Sequence, residues 1–102
     1  MRFKLKIVLH GKSLRIRLKE HGSVGIWSEV NYDSTRFDMQ SDFKYNRPQK
    51  PGWTGGDDGK RIYKLTPLQR GFAIFSIDHI YRGKIVDKYY YITITIYLNR
   101  TR

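Results

Sequence analysis

Apolar and polar residues alternate with a period of two along most of the chain, the spacing of half-buried strands rather than of helices. Phe3, Leu5, Ile7 and Leu9 alternate with Arg2, Lys4, Lys6 and Val8. His10-Gly11-Lys12 turns the chain, and Leu14, Ile16 and Leu18 then alternate with Ser13, Arg15, Arg17 and Lys19. The pattern predicts a hairpin or strand pair with one oily face and one basic face. A third strand is predicted over Trp27 to Tyr32, and a less regular fourth carries Phe37, Met39, Phe43 and Tyr45. Residues 46–59, NRPQKPGWTGGDDG, predict a long loop, because prolines and clustered glycines are poorly held in a ladder. Ile62 to Leu65 is a strand and Thr66 to Gly71 a turn. Phe72 to Tyr81 sets Phe72, Ile74 and Ser76 against Ala73, Phe75, Ile77 and His79. After the short turn Arg82-Gly83-Lys84, Asp87 to Leu98 is the longest strand. It carries Ile92, Ile94, Ile96 and Leu98 on one face and Tyr89, Tyr91, Thr93, Thr95 and Tyr97 on the other.

Helix signals are weak, since β-branched and aromatic residues are dense and the one alanine is Ala73. About seven short strands in 102 residues predict an all-β, immunoglobulin-like antiparallel β-sandwich, in one domain spanning residues 1–102. A small closed barrel is the other architecture this pattern allows.

Composition changes this picture mainly through charge. The formal net charge is +11, and it is unevenly spread. Residues 1–20 and 60–102 are strongly basic, while residues 21–59 carry a slight acidic excess. Such a chain favours an acidic partner: nucleic acid, an anionic surface or an acidic protein. With no cysteine there is no disulfide framework, thiol nucleophile or cysteine zinc site. The N-terminal residues alternate with Arg2, Lys4 and Lys6 and do not read as a signal peptide. No run reaches the ~18 consecutive apolar residues of a membrane helix. The chain as given is therefore expected to be soluble and intracellular, with no membrane partner.

Catalysis finds no constellation. His10, His21 and His79 lack metal-ligand spacing, and no nucleophile elbow is present. Asp57-Asp58 reads as a turn pair, because a calcium loop needs more acidic oxygens at alternating positions. TGGDDGK lacks the spacing and ending of a phosphate-binding loop. No metal and no cofactor is expected, and the chain reads as a non-enzyme.

Two features remain. Arg2, Lys4, Lys6, Arg15, Arg17 and Lys19 would project from one side of two adjacent strands. This is either a solvated outer face or a basic track for nucleic acid. The stacking aromatics such a track needs could come from Tyr89 and Tyr91 if the last strand lies alongside. Trp53, in PGWTGG, is either folded back over the core or an exposed anchor for a partner.

Three segments, taken in order, resemble the chagasin-type inhibitors of papain-family cysteine proteases. Residues 18–27, LKEHGSVGIW, resemble the first inhibitory motif, NPTTG followed by an aromatic and Trp, with its approach strand. His21 and Gly22 stand at the Asn and Pro, Ser23 and Val24 at the two Thr, and Gly25 at the Gly. Ile26 stands at the aromatic, and Trp27 is the motif's Trp one place early. Gly52-Trp53-Thr54-Gly55-Gly56 resembles GxGG with one extra residue. Thr66 to Gly71 resembles the turn after the next strand. Tyr81-Arg82-Gly83-Lys84 stands where Tyr-x-Arg-Pro-Trp belongs, keeping an Arg without the Pro or Trp. The match runs from about Leu14 to Ile96.

The resemblance implies a sandwich whose three loops occlude a protease cleft from one end. Small residues at Ser23 and Gly25 would admit the first loop as a wedge beside the target's catalytic cysteine. The competing expectation is a basic β-domain that binds nucleic acid or an acidic protein.

Overall fold

The structure is a computed structural model, and it describes residues 2–46 and 58–97. Among the described residues seven strands run in chain order: β1 (Arg2–Leu9), β2 (Leu14–His21), β3 (Ile26–Asn31), β4 (Phe37–Tyr45), β5 (Asp58–Pro67), β6 (Gly71–Tyr81) and β7 (Lys84–Ile96). A single 3₁₀ turn, Gly22–Val24, joins β2 to β3. The ladder order is β1-β7-β6-β3-β2-β5-β4. The β2–β3 step rests on one residue pair, His21 with Ile26. The chain folds over there, so β1-β7-β6-β3 forms one layer and β2-β5-β4 the other. This is the all-β sandwich the alternation predicts.

The core joins the two layers. Phe37, Tyr63 and Leu65 from the three-stranded layer pack on Phe75, Ile77 and Tyr91 from the four-stranded one. Phe37 and Phe75 meet edge to face at 5.4 Å, and Phe75 stacks on Tyr91 at 4.8 Å. Leu14, Ile16 and Leu18 line the same space from β2, as their alternation requires.

The hairpin expected between the first two strands does not form. β1 pairs in parallel with β7, and β2 pairs antiparallel with β5. The sandwich is therefore antiparallel in every pair but one. The residues 10–13 connect the layers instead of closing a ladder.

The faces of β1 are also unexpected. Val8 is buried and shares its side with Arg2, Lys4 and Lys6. Phe3, Leu5 and Ile7 point outward and are exposed. Parallel pairing sets Leu5 beside Ile92 and Ile7 beside Ile94. The apolar set of β1 thus follows the isoleucines of β7, which face away from the core because Tyr91, Thr93 and Thr95 occupy the inside.

The loop expected over residues 46–59 does not include Asp58 and Gly59, since β5 begins at Asp58. Gly59 is buried in that strand, and a Cβ there would clash with the Lys44 carbonyl oxygen. Close approach of β4, not a turn, explains this glycine. Strands also extend to Pro67 and begin at Lys84, leaving turns at residues 68–70 and 82–83.

Candidate functional site

The β2–β3 connection, the β6–β7 turn and the base of the β4–β5 connection share one end of the sandwich. Register fixes this. His21 pairs with both Ile26 and Asp58, and Ile26 pairs with Tyr81.

His21 has an extended backbone, φ −149° and ψ 88°, and starts the 3₁₀ turn. Gly25 closes it in the left-handed region at φ 78°, its amide donating to the Gly22 carbonyl at 3.0 Å. Glycine adopts that conformation without strain. Gly22, Ser23 and Val24 are exposed.

Across from it, Arg82 and Gly83 have φ of 50° and 80° between the paired residues Tyr81 and Lys84. Two positive φ values make a two-residue turn of the hairpin-favouring, type I′ kind. A register shift between His79 and Ile80 precedes it. The Arg82 guanidinium lies 5.2 Å from the Tyr81 ring.

The two turns touch. The Arg82 amide donates to the Gly25 carbonyl at 2.9 Å. A Cβ on Gly25 would stand 3.1 Å from Arg82 Cγ and 3.2 Å from Arg82 N. His21 to Gly25 and Tyr81 to Lys84 therefore form one continuous ridge. Trp27 lies just behind it, half-exposed on the outer face of β3 beside Ile80. Gly52, Trp53, Thr54, Gly55 and Gly56 lie outside the described residues. Asn46, just after β4, ties to the start of β5: its amide and side chain donate to Asp58 O at 3.0 Å and Asp58 Oδ2 at 2.9 Å.

A polar strap supports the ridge from inside. Buried Glu20 on β2 accepts from Ser28 Oγ of β3 at 2.6 Å and pairs with Arg61 Nε of β5 at 3.3 Å. Tyr63 Oη donates to the Ser28 carbonyl at 3.1 Å. Burial pushes the Tyr63 phenol up from its ordinary value, the Ser28 hydrogen bond opposes this, and the Glu20 charge adds to the rise. The phenol therefore stays protonated at neutral pH and remains a donor. The strap ties both layers together under the ridge. Its sequence signal is Glu20 itself, an acid continuing the inward row Leu14, Ile16, Leu18.

The basic residues are placed differently from their expected single face. β1 and β2 belong to opposite layers, so Arg2, Lys4, Lys6, Arg15, Arg17 and Lys19 do not share one sheet surface. Lys4, Lys6, Arg15 and Arg17 instead line a groove of about 370 Å³ where the layer edges face each other. Leu14, Ile16, Leu18, His79, Tyr89 and Tyr91 complete it. β7 does lie beside β1, and Arg2 Nη1 donates to Tyr89 Oη at 2.9 Å. Among the described residues no three His, Cys, Asp or Glu side chains gather as a metal site needs. No helix there is long and apolar enough to cross a membrane.

No family model matches the chain, and no curated protein matches it. Solved structures do. The cysteine protease inhibitor EhICP2 of Entamoeba histolytica superposes with a TM-score of 0.73 over 93% of this chain and 87% of its own, at 18% identity. Amebosin superposes with a TM-score of 0.67 over 90% of this chain and 88% of its own, at 15% identity. At these identities the likeness establishes a shared fold.

Proposed function

We propose that the chain inhibits a cysteine protease of the papain family by inserting the ridge at residues 21–27 and 81–84, with residues 52–56, into the catalytic cleft. The observation that carries this reading is the contact between the two turns, on a fold shared with a cysteine protease inhibitor. The exposed 3₁₀ turn is narrow, because Gly22, Ser23 and Gly25 carry little or no side chain. It enters as the wedge. Arg82 and Tyr81 flank it on one side. Blocking a cleft needs no chemistry from this chain, which is not an enzyme in this reading. Affinity comes from presenting a rigid ridge whose ordering is complete before binding.

The test is inhibition of a panel of papain-like proteases by the purified chain. Competitive inhibition is expected, and Ser23→Trp with Val24→Trp is expected to abolish it while leaving the fold intact. Absence of inhibition across the panel at micromolar protein overturns the reading.

A second reading rests on the groove lined by Lys4, Lys6, Arg15 and Arg17. Four cations beside Tyr89 suit an anionic chain, either nucleic acid or an acidic protein segment. Retention of DNA or RNA that falls with salt and is lost in Arg15→Ala with Arg17→Ala supports it. Binding indifferent to salt sinks it.

A further inference from the structure

We infer that the outer face of the four-stranded layer is a self-association surface that pairs two copies of this chain. On that face the ladder brings apolar side chains into continuous rows. Leu5, Ile92 and Ile74 form one row, and Ile7, Ile94 and Phe72 the next. Phe3 with Tyr90 and Leu9 with Ile96 extend the stripe at either end. No position in these rows is charged.

The exposure is large. Phe3, Leu5, Ile7, Phe72, Ile74 and Ile96 are between 42 and 70% exposed. Aromatic side chains offer about 150–250 Å² each and aliphatic ones less, so these six, with Leu9 at 40% exposed, present roughly 600 Å². The largest apolar patch of a typical monomer is about 300–600 Å². A stable interface needs about 800 Å² from each partner, so the patch supplies most of one half of a dimer.

The occupant follows from the chemistry of the face. An acidic partner is poorly served here, because Lys88, at the margin of the face beside Tyr90, is already paired with Asp78, and Arg2, Lys4 and Lys6 turn to the other side of β1. A pleated face of repeating uncharged rows is complementary to itself when turned about a two-fold axis. Two such sheets pack about 10 Å apart with interdigitating side chains. The burial also explains why β1 and β7 hold their aliphatic residues outward. The turn at Arg82 lies about ten residues up β7 from the centre of the patch, some ~33 Å at the rise of a strand. Pairing therefore leaves the ridge open.

Sedimentation equilibrium of the full chain over a wide concentration range tests this. Wild type is expected at twice the 12.2 kDa chain mass. Phe72→Glu with Ile74→Lys is expected to weaken dimerisation at least ~100-fold, since each copy then buries charge against its mate. Both positions are exposed, so circular dichroism and the melting temperature check that the variant still folds. Lys6→Glu, on the opposite side of β1, is expected to dimerise as wild type does. A wild-type chain that stays monomeric at hundreds of micromolar overturns the inference, as does a folded double variant that associates like wild type. Protease inhibition measured on the same samples separates this outcome from the fate of the ridge.

Discussion

Gly25 shows how much of the ridge depends on one residue. Its φ of 78° is strained for any L side chain, and a Cβ there would crowd Arg82. Gly25→Ala is expected to lower stability by about 1–3 kcal/mol, as strain and overpacking act together. Urea denaturation measures this, and an unchanged midpoint would show that the turn relaxes. Tyr63 and Tyr91 give a second residue-scale expectation. Burial raises both phenols above 10.0 in the folded chain, while the unfolded chain titrates at the ordinary value. The folded state then holds protons that the unfolded state has lost, so stability falls as pH rises above about 10. Denaturant midpoints followed through the alkaline range should decline, and Tyr63→Phe should flatten the decline.

At the scale of elements, the β6–β7 turn separates shape from contact. Arg82 adopts a left-handed conformation that asparagine tolerates better, and Asn-Gly is a preferred pair for such turns. Arg82→Asn is therefore expected to keep or raise stability by about 0.5 kcal/mol. If the guanidinium touches the protease, the same change weakens inhibition by about tenfold or more. Unchanged inhibition in a stable variant would assign this turn a role in bracing alone. The elements also show what was legible in the sequence. Strand positions follow from alternation, as Gly71–Tyr81 and Leu14–His21 illustrate. Partners do not, because an alternating strand is compatible with any neighbour. β1 pairs with β7, 80-odd residues away in sequence, rather than with β2 across an inviting turn. The face of β1 misleads for a related reason: the inside of β7 is tyrosine and threonine, which composition alone does not rank above isoleucine. The candidate loops at residues 21–27, 52–56 and 81–84 are legible as glycine-containing interruptions of the alternation. That two of them touch depends on pairings centred on Ile26, which no local pattern records.

The whole molecule is elongated, 60 × 30 × 20 Å, and carries a net charge of +11. Like charges lie close together along the groove, where Lys4 and Lys6 face Arg15 and Arg17. Charge of this density acts at a distance on an approaching partner. Association with an acidic protease is expected to slow by about tenfold between low and high salt, with a much smaller change in the dissociation rate. Stopped-flow association measured across ionic strength checks this. A rate independent of salt would mean that the target meets the ridge without electrostatic guidance.

The hydrogen bond from Arg82 to Gly25 makes the two turns a single mechanical part. On the proposed reading, specificity cannot then be retuned one loop at a time by changing loop length. An insertion at residues 22–24 would pull the Gly25 carbonyl off its donor, and one at 82–83 would do the same from the other side. Side-chain changes at Ser23, Val24 or Arg82 leave that bond in place. A library that varies those side chains at fixed length would explore targets on an unchanged frame. A graft onto another sandwich would have to carry both turns together.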